Sequence, residues 1–235
     1  DEFGSLAYSF NTMAADLREY MSTLKRTTAE KERMLKELEI AKGIQQSFLP
    51  ESAPEIPGFD LDGFNLPALE VGGDFYDFIP LDTDHMGLVI ADVSGKGVPA
   101  ALFMALSRTL IRASAHSIDD PVCSLREANS HLVEDSKTSM FVTLFYAVLD
   151  SRAKTLTYVN AGHNPPIHIG AGSGAVKLLS AHGIALGVVD DIALESVKVP
   201  LCPGDLVVMY TDGVTEATNE KEEEYGIDRF TACVV

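Results

Sequence analysis

The chain has 235 residues, 46% of them hydrophobic, which suits one sizeable globular domain with an additional segment. Its formal net charge of −17 at pH 7 argues against nucleic acid or an anionic membrane surface as a direct ligand, because both would repel it. The cysteines, Cys123, Cys202 and Cys233, are odd in number and lack CxxC spacing. This pattern argues against a disulfide framework or a zinc site and favours a reducing compartment.

The first 49 residues have the apolar periodicity of a long helix with a heptad repeat. Apolar residues occupy a positions (Phe10, Leu17, Leu24, Leu38) and d positions (Leu6, Met13, Tyr20, Met34, Ala41, Phe48). Thr27, Lys31 and Gln45 are polar at core positions, and such a seam is less stable and better able to hold two registers. We predict a coiled-coil linker over residues 26–49 that pairs two copies of the chain. The alternative is an amphipathic helix packed on its own domain.

Residues 1–25 resemble the C-terminal part of a HAMP signalling module, through the run DEFG followed by Leu6, Phe10 and Met13. Modules of this kind are usually dimeric and join a membrane sensor to a cytoplasmic output. The resemblance implies that the chain begins inside a longer protein. It also implies that this part is cytoplasmic and that the parent protein is anchored to the inner membrane through segments preceding it.

A domain boundary is predicted at residue 50, because Pro50, Pro54 and Pro57 end the helical pattern. The domain then covers residues 50–235. Residues 59–66 alternate between apolar and polar side chains and predict a half-buried strand.

Two apolar or aromatic runs, residues 75–79 and 86–90, flank the turn-forming residues 80–84 and predict a β-hairpin. In such a hairpin Asp74 enters the first strand and Asp92 leaves the second, so both carboxylates lie at the same end. Neighbouring glycines allow close backbone approach, and carboxylate oxygens suit a hard divalent cation. The alternative is that both aspartates simply occupy turns, where Asp is common.

The remaining pattern predicts an α+β sandwich, because short strands dominate and two helices are inserted together. Pro99 suits the first turn of a helix that runs to about His116. The predicted elements are helices over 98–116 and 123–135, strands over 141–149, 155–159, 176–179 and 194–199, and a buried strand over 205–210 that ends beside Asp212.

Three blocks carry the candidate aspartates Asp74, Asp92 and Asp212: GGDFYDF, ADVSGKG and YTDGVTEA. Together with FVTLFYAVLD and NAGHNPP, and in this order, they resemble the PPM-type metal-dependent serine/threonine phosphatases of the stage-II-sporulation-E-like bacterial branch. The resemblance runs from about Gln45 to the last residue. It implies the fold of that family, two packed sheets flanked by helices.

The resemblance also implies two divalent cations, Mn²⁺ or Mg²⁺, which oxygen-only ligands select over zinc. By motif, Asp92 bridges the ions, the carbonyl of Val93 completes the second, Asp212 binds the first, and Asp74 binds the second or holds its water. Asp74 and Asp92 are therefore the expected catalytic residues. The expected attacking group is a metal-bound hydroxide, and no phosphoenzyme is implied.

The implied substrate is a phosphoserine or phosphothreonine on a STAS-type anti-sigma-factor antagonist, with the chain as the output domain of a bacterial sensor. Gly95 and Lys96 are candidate contacts of the substrate phosphate, although a solvated loop lysine is the simpler interpretation of Lys96. His163 stands in the turn-rich run NAGHNPP, where we expect it to shape the loop rather than to transfer protons.

Two features leave alternatives open. The family pattern continues with a further metal-binding aspartate beyond YGIDRF, so we expect the domain to be truncated at its C-terminus and this chain to lack one ligand of the first ion. A non-catalytic, dimeric binding module with a degenerate phosphatase fold is then the main alternative. A diguanylate cyclase is a remote one, because Phe75 follows Gly72-Gly73-Asp74 where the GGDEF motif has an acidic residue.

Overall fold

The computed structural model describes residues 2–116, 120–135, 139–172 and 174–234. The chain divides into two compact units, Asp1–Ile44 and Gln45–Val235. In chain order its elements are α1 (Glu2–Gln46), β1 (Phe75–Pro80), β2 (His85–Val93), α2 (Val98–Ser114), α3 (Pro121–Asp135), β3 (Val142–Asp150), β4 (Thr155–Ala161), β5 (Ile167–Ile169), β6 (Val176–Leu178), β7 (Ser196–Pro200), β8 (Leu206–Val208), α4 (Asp212–Thr215) and α5 (Ile227–Val234).

The first unit is a single helix, α1, whose heptad apolar side chains face solvent. Phe10, Leu17 and Leu24 are 64%, 58% and 53% exposed. Thr27 satisfies its own hydroxyl within the helix by donating to the carbonyls of Thr23 and Leu24. None of the described helices combines the length and the hydrophobicity that a membrane span requires.

The second unit is built on a five-stranded antiparallel sheet in the order β1-β2-β3-β4-β7. The predicted hairpin is confirmed, with Phe75 opposite Ala91 and Pro80 opposite Met86. Strand β2 then pairs along its whole length with β3, so that Asp92 lies opposite Thr143 in the sheet interior. A second sheet of three strands has the order β6-β5-β8.

Both faces of the large sheet are covered by apolar side chains. On one face α2 and α3 contribute Phe103, Met104 and Leu132 to a core cluster with Phe75 and Tyr146. The opposite face carries a second cluster of buried side chains: Met86, Leu88, Phe145, Ala147, Leu149, Leu156, Tyr158, Leu179 and Val199. This second cluster includes contacts to Val207 and Met209, at the end of the smaller sheet. The α+β sandwich predicted from the sequence is therefore confirmed.

The predicted strand over residues 59–66 is wrong. The structure shows only an isolated bridge between Ile56 and Phe59 in this region. Side-chain bonds replace a strand ladder here: the Tyr76 hydroxyl donates to the Gly63 carbonyl at 2.9 Å, and the Asn65 amide donates to the Asp74 carbonyl at 2.9 Å. Phe59 and Leu61 pack against the domain, whereas Phe64 and Leu66 are 83% and 79% exposed, so the apolar pattern does not mark a buried strand face.

Two further expectations about strands need correction. Strand β5 was not predicted, because its three residues follow Pro165-Pro166 and are too few to show a period. Strand β8 is shorter than predicted and is not fully buried, since it lies at an edge of the smaller sheet and Leu206 is 46% exposed. Asp212 does not directly follow this strand but begins the short helix α4.

A buried aspartate joins the edge strand β1 to helix α2. Asp77 has a side chain only 2% exposed, and its Oδ2 atom lies 3.0 Å from Arg108 Nη2 and 2.7 Å from Arg112 Nη1. Its Oδ1 atom accepts a bond from the Phe78 amide at 2.9 Å. Because Asp77 lies three residues after Asp74, this ion pair also fixes the strand that carries the candidate site.

Replacing Asp77 with Asn should destabilise the second unit by about 2–3 kcal/mol, because it leaves two arginines facing a neutral, desolvated group. This is less than the roughly 3–5 kcal/mol typical of a fully buried pair, since Arg112 reaches solvent. Urea unfolding at pH 7 measures the change, with the exposed Asp60→Asn as the matched control. A loss below about 0.5 kcal/mol, the level typical of surface substitutions, would contradict a structural role for the ion pair.

Candidate metal centre

The hairpin places Asp74 and Asp92 opposite each other at its end. Because Phe75 is opposite Ala91 in antiparallel strands, the residue before Phe75 faces the residue after Ala91. Asp74 raises the pKa of Asp92 both as a hydrogen-bond partner and as a negative charge. A hydrogen bond between two carboxyl groups needs a shared proton, since two ionised carboxylates have acceptors but no donor.

Burial is the main cause that raises the pKa of Asp92, to about 8. The hydrogen bond with Asp74 and then the negative charges of Asp74, Asp212 and Glu216 act in the same direction. A group placed so that all its charged neighbours are carboxylates favours a cation or a proton at the same position. In the absence of a cation the protein holds the proton.

The Asp74 carboxylate is oriented from two sides. Thr211, at the end of the segment after β8, donates its hydroxyl to Asp74 Oδ2 at 2.7 Å. On the preceding residue, a Cβ atom added to Gly73 would lie 2.8 Å from the carbonyl oxygen of Val93. Only glycine therefore permits the approach between the Asp74 segment and the end of β2, and it brings the predicted carbonyl ligand Val93 next to Asp74.

Helix α4 brings the third predicted aspartate, Asp212, towards the same place. Asp212 is in the first turn of α4, and Glu216 caps its end, with the Glu216 amide donating to the Asp212 carbonyl at 2.7 Å. The sequence analysis missed Glu216 as part of the electrostatic site. No sequence signal identifies it, because α4 has only four residues and Glu216 lies at its C-terminal cap.

The donor set fits a hard divalent cation, because it consists of carboxylate oxygens with backbone carbonyls nearby. The three aspartates of this set differ in how they act on one another. Asp74 acts on Asp92 as a hydrogen-bond partner and as a charge, whereas Asp212 acts through its charge alone. Among the residues that the structure describes, no three acidic, histidine or cysteine side chains already stand at ligand spacing around one point.

The candidate phosphate contacts lie in the loop between β2 and α2. Gly95 and Gly97 have φ angles of 93° and 72°, in the left-handed region that favours glycine. Gly97 is the residue before α2, and Lys96 between them is exposed. The loop is therefore shaped by its glycines, and the Lys96 ammonium extends into solvent.

His163 connects the NAGHNPP turn to the centre. Its backbone amide donates to Asn160 Oδ1 at 2.7 Å, and Asn160 Nδ2 donates back to the His163 carbonyl at 2.9 Å. Its Nδ1 atom lies 3.0 Å from the hydroxyl of Thr143, the residue opposite Asp92. Burial lowers the pKa of His163 to about 4, although the backbone of Tyr210 and the charge of Asp74 act to raise it. A neutral, buried imidazole agrees with the loop-shaping role.

Stability of the metal-free protein should decrease as the pH rises above 6.5. The Asp92 carboxyl, with its raised pKa, keeps a proton that the unfolded chain has released. Its contribution to the free energy of unfolding is therefore present at low pH and is lost as the pH approaches 8. Below 6.5 the buried His163 acts oppositely, because only the unfolded histidine then gains a proton. One proton can contribute up to about 1.4 kcal/mol per pH unit. Partial exposure of Asp92 reduces this, and we expect a loss of about 1 kcal/mol between pH 6.5 and pH 8.

Urea unfolding in the presence of a chelator at pH 6.5, 7.25 and 8 provides the measurement. Asp92→Asn should flatten the dependence, whereas the exposed Asp228→Asn should leave it unchanged. An equally steep dependence in Asp92→Asn would assign the titration to another group.

Comparisons with known proteins agree with these features. The family model for stage II sporulation protein E (SpoIIE) matches residues 82–235. Phosphoserine phosphatase RsbU of Bacillus subtilis is 33% identical over 184 residues, covering 78% of this chain and 55% of RsbU. Protein IcfG of Synechocystis is 32% identical over 258 residues, covering 97% of this chain and 40% of IcfG.

Among solved structures, the SiaA-PP2C domain of Pseudomonas aeruginosa superposes with a TM-score of 0.69 at 26% identity, covering 88% of this chain and 83% of that one. The chain thus spans about half the length, or less, of the two curated relatives, and most of a solved PP2C domain. These matches leave the diguanylate cyclase alternative without support. The chain belongs to the SpoIIE family.

Proposed function

We propose that residues 45–235 form a metal-dependent protein phosphatase domain that hydrolyses phosphoserine or phosphothreonine on a regulatory partner protein. The observation that carries the proposal is the placement of Asp74 opposite Asp92 at the hairpin end, with Asp212 and Glu216 acting on the same carboxyl group. Membership of the SpoIIE family, and similarity to a relative named as a phosphoserine phosphatase, support the same activity.

Asp74, Asp92, Asp212 and the Val93 carbonyl would hold two divalent cations, Mn²⁺ or Mg²⁺. When bound, such ions lower the pKa of water and neutralise charge on a phosphoryl group. The residues of the chain then orient the ligand side chains and bind the cations. Thr211 fixes the rotamer of Asp74 through its hydroxyl group, and Asp92 must release its proton to become a ligand.

Four residues around the carboxylates would hold the reacting parts in place. Thr143 and His163 support the β2–β3 end on which Asp92 stands. Gly95 offers backbone without a side chain beside the site, and Lys96 can move from solvent to a phosphate of the substrate. The neutral imidazole of His163 bonds the Thr143 hydroxyl through Nδ1 and would carry no proton to the reaction.

The partner would be a phosphorylated STAS-type anti-sigma-factor antagonist, as the family resemblance implies, and the chain would be the output part of a bacterial sensor. The HAMP-like character of residues 1–25 and the coiled coil over residues 26–49 remain predictions. The solvent-facing heptad side chains of α1 support a second copy of the same helix as their cover.

The decisive experiment is hydrolysis of a phosphoserine peptide by the full-length gene product that contains this sequence, with Mn²⁺ and with a chelator. Asp92→Asn should reduce kcat at least tenfold, because an amide offers one acceptor and no charge, and metal-site changes cost about 10–100-fold. Asp228→Asn is the matched control. Tight binding of a phosphorylated partner without hydrolysis would support the non-catalytic binding module instead.

The double substitution of Thr27 and Lys31 by Leu should strengthen dimerisation of α1 and hold activity in one state. Apolar residues at these two seam positions remove the polar gaps that bring alternative arrangements close in energy. Analytical ultracentrifugation measures the dimer, and phosphatase assays on the full-length gene product measure its activity.

Ser22→Leu with Lys36→Leu is the control pair, since these residues have similar chemistry but occupy the outward f positions. A chain that is monomeric at tens of micromolar, with activity insensitive to both pairs, would show that α1 is only a tether.

A further inference from the structure

Gln45 is the one buried residue of helix α1, although the sequence pattern places it in the polar part of the seam. It is 8% exposed and belongs to the second compact unit. Its Nε2 atom donates to the Gly72 carbonyl at 2.7 Å, and its Oε1 atom accepts from the Gly72 amide at 3.1 Å. The amide of Gln45 is therefore bonded within its own compact unit, while the coiled coil over residues 26–49 stays a prediction.

We infer that Gln45 is a positioning residue that holds the Asp74 segment of the candidate metal centre through the backbone of Gly72. The inference rests on the proposed metal centre. Gly72 is two residues before Asp74, and both of its backbone polar groups bond to this single amide. The side-chain amide thus bonds the N–H and C=O groups of one residue, as a neighbouring strand would.

Gln45 supplies the hydrogen bonds that hold Gly72, next to the buried side chain of Val71. Asn65 donates to the Asp74 carbonyl, and Thr211 donates to the Asp74 carboxylate. Both bonds act on Asp74, two residues after Gly72. Gly73 is in close contact with Val93. These contacts fix one end of a three-residue segment, and the Gln45 amide fixes the other. With both ends held, the carboxylate has one position relative to Asp92.

Loss of the Gln45 amide has consequences at both ends of the interaction. The Gly72 amide and carbonyl are left without their partner in a part-buried place, so the segment must shift to reach water. Shift of a group that orients a ligand typically lowers metal affinity 10–100-fold. Because Gln45 is in the last turn of α1, where each residue turns the helix by about 100°, any rotation of that turn moves both bonds together.

The test uses Mn²⁺ alone as the probe, measured by calorimetry on the full chain without substrate. Gln45→Met keeps the length and packing of the side chain but removes both hydrogen bonds. We expect its Mn²⁺ affinity to be at least about tenfold weaker than that of the unsubstituted chain. Gln46→Met is the matched control, because Gln46 is the same residue type, adjacent, and exposed.

Hydrogen exchange in the metal-free protein provides a readout that does not depend on metal. The Gly72 amide should exchange at least tenfold faster in Gln45→Met, while the amides of β2 and β3 remain unchanged. A merely structural role would instead accelerate exchange throughout the sheet. If Gln45→Met fails to fold, Gln45→Asn tests the same point, since its side chain is one methylene shorter and cannot reach both groups.

The inference is overturned if Gln45→Met binds Mn²⁺ within about twofold of the unsubstituted chain, or if Gln46→Met loses as much affinity. It is equally overturned if the unsubstituted chain binds no Mn²⁺, because there is then no centre to position. Failure of the proposed function has a different signature. Mn²⁺ affinity that depends on Gln45 in a protein that hydrolyses no phosphoserine peptide would retain this inference and reject the phosphatase.

Discussion

Two carboxyl groups opposite each other at one end of a hairpin impose the main electrostatic constraint on this fold. Asp74 and Asp92 cannot both be ionised at this distance without repulsion, and the other charges that act on Asp92 are also negative. The domain therefore needs positive charge at this point, supplied by a proton or a cation. Exchange of the proton for a cation makes occupancy of the centre dependent on pH as well as on ion concentration.

The architecture of the second unit serves to keep this unfavourable pair together. Strand β2 is held by neighbours on both sides, which gives Asp92 a rigid position. Asp74 needs more support because it precedes an edge strand, and the structure supplies it from distant parts of the sequence. Thr211 contacts it from beyond β8, Asn65 from the segment before β1, and Gln45 acts through Gly72. Because these groups are far apart in the sequence, the geometry of the site depends on the folding of the whole unit.

The features that could be predicted from the sequence are the helices and strands with an apolar pattern and the residues at the turns between them. Two apolar or aromatic runs located β1 and β2, and a hairpin of these strands placed Asp74 and Asp92 at the same end of the sheet. The periodicity of α2 and α3 was equally clear, since each buries one face on the sheet. Such local signals survive because packing reinforces the intrinsic preference of each segment.

The features that could not be predicted depend on single contacts between distant residues. Gln45 fits a heptad seam as a polar residue, and nothing in the heptad indicates that its amide binds Gly72. Residues 59–66 alternate like a strand, yet bonds from Tyr76 and Asn65 replace the ladder. The charge of Glu216 near Asp92 depends on how α4 packs, which a four-residue helix does not reveal through periodicity.

The placement of the strands has a consequence for the lifetime of the centre. Asp92 stands on an interior strand, whereas β1 and β8, the strands next to Asp74 and Asp212, are both at sheet edges. Edge strands detach in sub-global openings that need less free energy than complete unfolding. Either opening separates the carboxylates while the interior pairing of β2 with β3 survives. Retention of a cation would therefore be governed by fraying at the sheet margins rather than by the thermodynamic stability of the whole domain.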